Sequence, residues 1–162
     1  MTMNTPEVSE REAQAYYAIA ATLPMSELGQ AVPLAGEVFD WLAQRDIAPA
    51  GPPFWRYLTI EMPDRLEIEC GVTVAAAVAG DDRVLAGELP AGRYATVLHF
   101  GHPDDLVETT GELLGWAARE GLALDASPDQ RYWGCRLEEY LTDPEEQPDL
   151  NQWVTRVSMR LA

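Results

Sequence analysis

The chain has 162 residues, of which 47% are hydrophobic, and this length and apolar content fit one domain with a sizeable core. Only 11 Lys and Arg residues face 27 Asp and Glu residues, giving a formal net charge of −16. This charge repels phosphate backbones and anionic lipids, so nucleic acid and membrane surfaces are excluded as favoured partners. The same field attracts cations, although acidity also serves solubility alone. No segment approaches the roughly 20 apolar residues that span a bilayer, so we expect a cytoplasmic protein.

Strand-like and helix-like segments follow one another in an order that occurs twice. In chain order, the patterns predict strands at 15–23, 54–60, 66–74, 84–89, 93–100, 131–141 and 152–161, with helices beginning near Leu34 and Asp104. Segment 25–30 fits either a loop or a helical turn before Pro33. The helical segments 37–43 (EVFDWLA) and 112–118 (ELLGWAA) are also similar to each other.

This repeat predicts an α+β fold made of duplicated βαββ halves, at about 7–80 and 82–162 of a single domain. Two such halves are expected to be related by a pseudo-two-fold axis. They would form an antiparallel sheet with two main helices and a central ligand cleft. If the two predicted helices do not superpose when the halves are overlaid, the repeat is wrong.

The strand 131–141 carries the strongest candidate for a ligand-binding surface. Because successive side chains of a strand point to opposite sides, alternation places four polar and aromatic residues on one face: Tyr132, Arg136, Glu138 and Tyr140. The other face is expected to pack against the helices: Trp133, Cys135, Leu137 and Leu141. A carboxylate among aromatic rings suits a planar or cationic guest, whereas a solvated sheet face is the alternative.

A second aromatic set lies on strand 54–60. Trp55, Tyr57 and Thr59 alternate with the apolar Phe54, Leu58 and Ile60, so their face is predicted to line the cleft. Glu67 and Glu69 alternate with apolar residues in the same way, which makes Glu69 a candidate second carboxylate. Tyr17 is a candidate wall, although periodicity does not say which tyrosine points inward.

The sequence carries no signal for a metal or a cofactor. Cys70 and Cys135 lie far apart and outside any paired ligand motif, and His99 fits a hydrogen-bonded core position. Nucleophile-elbow, Walker and Gly-x-Gly-x-x-Gly motifs are absent. We therefore expect no metal site and no cofactor.

Five segments together resemble a known family. They are 51–57 (GPPFWRY), 66–72 (LEIECGV), 87–95 (GELPAGRYA), 99–101 (HFG) and 137–144 (LEEYLTDP), in that order. The chain resembles the GyrI-like family, which includes the effector-binding domains of AraC-type and MerR-type bacterial drug-sensing regulators. The resemblance implies the duplicated, SHS2-like βαββ fold. It also implies that Glu138, with Tyr140 at the Glu-x-Tyr position, supplies the carboxylate of the cleft.

Two departures from the family pattern qualify this interpretation. Gly101-His102-Pro103 stands where many members carry Gly-Pro-Tyr, so an aromatic role there is in doubt. No helix-turn-helix segment is recognisable, so we expect a stand-alone member rather than a DNA-binding regulator.

Three functions are compatible with these observations. The first is binding of aromatic, often cationic small molecules, for sequestration or resistance. The second is hydrolysis of electrophilic cyclopropanoid rings in DNA-alkylating natural products, with Glu138 assisting water and Tyr140 or Tyr57 as acid. The third is a protein-interaction role such as inhibition of DNA gyrase. We expect a monomer or weak homodimer that binds neither nucleic acid nor membrane.

Overall fold

Eight strands form one antiparallel sheet in the computed structural model, which describes residues 2–162. The strands are β1 (Glu7–Arg11), β2 (Gln14–Leu23), β3 (Pro49–Glu61), β4 (Arg65–Val74), β5 (Leu85–Leu89), β6 (Gly92–Phe100), β7 (Arg136–Tyr140) and β8 (Val154–Arg160). The helices are α1 (Leu34–Gln44) and α2 (Leu106–Arg119), with short 3₁₀ helices at Met25–Ala31, Pro103–Asp105 and Leu150–Gln152. The predicted α+β class, with an antiparallel sheet and two main helices, is confirmed.

The strand order is symmetrical about the middle of the sheet. The order is β1-β6-β8-β7-β3-β4-β2-β5, so β7 and β3 are neighbours at the centre. Next to β7 lie β8 and then β6, which are the last and first strands of the second predicted half. Next to β3 lie β4 and then β2, which are the last and first strands of the first predicted half. This order is what two βαββ halves would produce, and their equivalence in three dimensions stays a prediction.

Each helix packs an apolar stripe onto one side of the sheet. Leu34, Val38 and Leu42 recur every four residues on α1 and are buried against apolar side chains of β2 and β4. Leu106 and Leu113 of α2 are buried against β6 and β8. The two helices therefore cover the two ends of the sheet on the same face, and the central strands β7 and β3 lie between them.

The opposite face is closed by a curl of the sheet rather than by helices. Its core consists of Tyr16, Ala18, Phe54, Leu89, Tyr94, Cys135 and Leu137. Leu89 and Tyr94 come from β5 and β6, near opposite ends of the strand order, so the sheet must bend to bring them together. The expectation that Cys135 and Leu137 face the helices is therefore wrong, because these side chains fill the concave side.

Local predictions differ from the structure in three places. The strand predicted at 131–141 is regular only over β7, because Tyr132 and Trp133 form isolated bridges to Thr59 and Ala126. The edge strand β1 was not predicted, and the ambiguous segment is the 3₁₀ helix Met25–Ala31. None of the helices within residues 2–162 is both long and apolar enough to cross a bilayer.

Candidate functional site: a carboxylate between the two helices

The candidate site lies where β3 and β7 pair, on the face that carries the helices. Trp55 stands directly opposite Glu138 in the register of the two strands. Trp55 packs against the α1 core, and Tyr140 packs against the α2 core. Glu138 therefore occupies the floor of the space between the two helix-backed halves.

Two tyrosine hydroxyls hold the Glu138 carboxylate. The Tyr140 hydroxyl donates to Oε1 at 2.8 Å, and the Tyr57 hydroxyl donates to the same oxygen at 3.1 Å. Within residues 2–162, the buried side-chain polar atoms without a partner are Arg56 Nε and Thr155 Oγ1. Glu138 Oε2 accepts no hydrogen bond there and is not among those fully buried atoms, so it has capacity for a further partner.

Burial makes the charge on Glu138 costly. Burial raises the pKa of Glu138, and the hydrogen bonds from Tyr140 and Tyr57 and the charge of Arg136 offset only part of that rise. Burial, followed by the proximity of Glu138, raises the pKa values of Tyr57 and Tyr140 well above their ordinary value. Both tyrosines therefore stay protonated as donors, and a bound cation would relieve the unfavourable desolvation of the carboxylate.

Three aromatic rings frame the carboxylate. The rings of Trp55 and Tyr140 have centroids 6.1 Å apart in an edge-to-face arrangement, and those of Trp55 and Tyr57 are 6.4 Å apart and tilted. Aromatic faces attract cations by about 0.5–2 kcal/mol each. Rings around an ionisable carboxylate therefore suit a flat or cationic guest.

A guanidinium lies beside this carboxylate on the same strand face. The Arg136 guanidinium carbon lies 4.8 Å from the centroid of the Trp133 ring and 5.8 Å from that of Tyr57. Burial lowers the pKa of Arg136, while the nearby Glu138 and Tyr57 raise it again. The site thus presents one acidic and one basic group among aromatic rings.

The structure brings five of the eight predicted site residues together, namely Trp55, Tyr57, Arg136, Glu138 and Tyr140. Tyr132 does not join them: its side chain is 52% exposed and its hydroxyl donates to Glu61 at 3.4 Å. The strand alternation that grouped Tyr132 with Glu138 fails because regular pairing begins only at Arg136.

Tyr17 and Glu69 also lie outside the site. The Tyr17 ring packs on Trp41 at 4.8 Å in the α1 core, and its hydroxyl accepts from the backbone N–H of Val78 at 3.0 Å. Glu69 lies on the concave face, where the Tyr16 hydroxyl donates to it. The structure does not bring Glu69 and Glu138 together, because Glu69 pairs with Arg56 and Glu138 pairs with Trp55, so their side chains lie on opposite faces of the sheet.

A β-bulge removes Thr59 from the predicted cleft face. The pairing of β3 with β4 shifts between Tyr57 and Thr59, so Thr59 lies on the side of Glu67 and donates to it at 2.7 Å. Trp133 was the contact that sequence reasoning missed, since alternation placed it on the face opposite Arg136. Gly134, whose N–H bonds to the Asp125 carbonyl at 2.8 Å, interrupts the strand and was the one available signal.

Other features of the surface lie apart from this site. A depression of about 440 Å³ lies between α2 and residues Thr2 and Met3, and another of about 250 Å³ lies between α2 and segment 122–130. Neither is lined by Glu138, so binding of a bulky ligand at Glu138 requires side chains around the carboxylate to move. No group of three or more His, Cys, Asp or Glu residues with metal-binding geometry occurs within residues 2–162.

The fold and the site together define an α+β small-molecule-binding domain with its candidate binding groups at the junction of the two halves. The sequence model of the GyrI-like small-molecule-binding domain matches residues 4–162. The chain belongs to the GyrI-like family. The resemblance inferred from the sequence is confirmed.

Solved structures share this fold at low sequence identity. The C-terminal domain of EcmrR is 16% identical with a TM-score of 0.75, covering 98% of this chain and 97% of that one. An EcmrR chain in a complex with DNA is 15% identical with a TM-score of 0.79. The match covers 97% of this chain and 57% of that longer chain.

Two further structures have similar topology. SAV2435 bound to tetraphenylphosphonium is 11% identical with a TM-score of 0.65, covering 98% of this chain and 94% of that one. A hydrolase from Listeria innocua is 12% identical with a TM-score of 0.61, and the match covers 97% of this chain and 91% of that one. At these identities the likeness concerns the fold alone. A sequence comparison with curated proteins found no match.

Proposed function

We propose that this protein binds planar or multi-ring aromatic cations between its two helix-backed halves, with Glu138 as the anionic centre. The observation that carries the proposal is the geometry of the carboxylate: both tyrosine hydroxyls donate to Oε1, and Oε2 accepts no hydrogen bond within residues 2–162. A carboxylate held by neutral donors is pre-organised for a cation that has no counterion of its own.

The overall charge and a structural relative give independent support. A net charge of −16 raises the local concentration of cations near the protein. SAV2435, which shares the fold, was solved with tetraphenylphosphonium bound. Sequestration of a toxic aromatic cation requires only such binding, with no chemical step.

The test removes the charge of the Glu138 side chain and keeps the shape of that side chain. Glu138→Gln should weaken binding of tetraphenylphosphonium or a rhodamine cation by about 1–3 kcal/mol, the scale of a charge-assisted contact. Isothermal titration calorimetry measures the tetraphenylphosphonium affinity, and fluorescence anisotropy measures the dye.

The matched control removes an equal charge elsewhere. Glu88 is exposed on the edge strand β5 and its side chain makes no salt bridge or hydrogen bond within residues 2–162, so Glu88→Gln should leave affinity unchanged within error. Equal weakening by both substitutions would mean that net charge alone attracts the cation, and the proposed site would be wrong.

Hydrolysis is the second candidate, because the same groups suit water activation. A carboxylate with a raised pKa and a free oxygen is a competent general base, and Tyr57 or Tyr140 is placed to donate a proton. Incubating the protein with a cyclopropanoid DNA-alkylating compound and following ring opening by mass spectrometry separates the two functions. Catalytic turnover that Glu138→Gln abolishes would favour the hydrolase.

A further inference from the structure

We infer that the ligand of this site carries a carboxylate that docks on Arg136 while its cationic part lies at Glu138. This inference rests on the proposed function and deepens it by naming the chemical class of the ligand. The favoured guest is therefore an aromatic zwitterion rather than a simple lipophilic cation.

Arg136 differs from the other partly buried arginines in having no polar partner. Residues 2–162 contain five partly buried arginines, Arg11, Arg56, Arg136, Arg156 and Arg160. The other four donate to carboxylates, a tyrosine hydroxyl or backbone carbonyls. No hydrogen bond or salt bridge within that range involves the Arg136 guanidinium, and its nitrogens are not among the buried unpartnered atoms. Its donors therefore have no partner within residues 2–162 and can serve a ligand.

The Arg136 guanidinium lies beside two aromatic rings. Trp133 and Tyr57 lie within 4.8 and 5.8 Å of the guanidinium carbon, measured to the ring centroids. A planar guanidinium held by rings keeps its N–H edge free, and that edge matches the two oxygens of a carboxylate. A lysine would offer no comparable planar fork.

Glu138 does not neutralise Arg136 by direct contact. The two residues share one strand face two positions apart, which separates their Cα atoms by roughly 6–7 Å. Each influences the other's pKa, yet no salt bridge joins them within residues 2–162. An open acceptor oxygen and an open set of donors thus lie side by side, and a ligand that bears both charges satisfies both groups at once.

The experiment compares ligands that differ only in the acidic group. Rhodamine 110 and its methyl ester, rhodamine 123, form a rigid pair. The (4-carboxybutyl)- and pentyl-triphenylphosphonium cations form a flexible pair. Affinities are measured for the parent chain, Arg136→Met, Arg136→Lys and Glu138→Gln. Arg93→Met serves as the control, because Arg93 is exposed on β6 and its side chain has no partner within residues 2–162.

The parent should prefer the free acid in at least one pair by roughly fivefold or more, the scale of a charge-assisted hydrogen bond. Arg136→Met, which keeps an apolar stem for stacking, should abolish that preference, Arg136→Lys should keep part of it, and Arg93→Met should keep all of it. Glu138→Gln should weaken the binding of all four ligands. The ratio of affinities between each acid and its uncharged counterpart should stay largely unchanged. Thermal melting checks that each variant is folded.

Two failures can be told apart. If the parent has no preference in either pair, or if Arg136→Met leaves the preference unchanged, the inference about the acceptor is wrong while cation binding at Glu138 stands. If none of the four ligands binds, or if Glu138→Gln has no effect on any of them, the proposed function itself is wrong.

Discussion

Two neighbouring glutamates show how a one-residue step in a strand decides chemistry. Glu138 lies on the helix-covered face among aromatic rings, where burial raises its pKa. Glu139 lies on the concave face, where Arg11 and Arg156 donate to its carboxylate. Burial also acts to raise the pKa of Glu139, but the hydrogen bonds and charges of Arg156 and Arg11 lower it overall. Glu138 has one oxygen without a hydrogen-bond partner within residues 2–162, whereas both oxygens of Glu139 accept from arginines.

The raised pKa of Glu138 predicts a pH dependence of cation binding. The folded chain holds the Glu138 proton above the ordinary pKa of 4.5, so affinity for tetraphenylphosphonium should rise as pH increases from 4.5 through the raised pKa. Over the same interval the ionising carboxyl should make the free protein less stable, since the folded state binds more protons than the unfolded state.

Titration calorimetry across this interval, at pH values where circular dichroism shows an intact fold, measures the dependence. Glu138→Gln should flatten it and leave only the weaker effect of the overall charge. A parallel dependence in the parent and the variant would assign the titration to other acids.

At the scale of elements, the arginine clamp on Glu139 ties three strands together. Arg11 comes from β1, Glu139 from β7 and Arg156 from β8, and Glu139 is only 6% exposed. Since β1 and β7 are separated by two strands in the sheet order, this ion-paired group stabilises the curl of the sheet on the face opposite Glu138. The floor of the cleft and the clamp are opposite faces of the same short strand.

Glu139→Gln should therefore change stability rather than binding. Removing one partner of a buried charge group leaves the arginines unpaired, and we expect a loss of about 1–3 kcal/mol in the free energy of unfolding because both arginines keep contact with water. The contribution is present above the ordinary pKa of 4.5 and is lost as pH falls through the lowered folded-state pKa.

Urea denaturation at neutral and acidic pH tests this expectation, with Glu88→Gln as the surface control, which should stay within about 0.5 kcal/mol of the parent. A large loss of ligand affinity with unchanged stability would place Glu139, not Glu138, at the ligand.

At the scale of the whole molecule, the two main helices pack on the two ends of one sheet face, and the central strands β3 and β7 lie between them. The site combines β3 from the first predicted half and β7 from the second, so neither half contains a complete site. A cleft at such a junction is a common place for a small-molecule site.

The net charge of −16 predicts that the chain does not bind duplex DNA at physiological salt, because binding requires a basic face that releases counterions from phosphates. Fluorescence anisotropy with a labelled duplex measures this. A micromolar affinity that falls steeply with added salt would overturn the expectation.

Much of the fold and part of the site were accessible from the sequence. Alternation along the strands grouped Trp55 with Tyr57 and Glu138 with Tyr140, and the structure places these four side chains around one carboxylate. The family resemblance, carried by five short segments in order, pointed to Glu138 independently. Predictions failed where a strand is irregular, at the bulge that turns Thr59 away.

The sequence by itself determined the fold class, the pairs of side chains that share a face, and the acidic field, since these depend on local periodicity and composition. Only the tertiary structure decided which face the helices cover, because a period of two separates the faces of a strand without assigning either of them to the helices. That choice placed Cys135 and Leu137 in the concave core, while strand register separated Glu69 from Glu138 and the break at Gly134 brought Trp133 beside Arg136. It depends on the curl of an eight-stranded sheet, which arises from contacts between residues far apart in the chain.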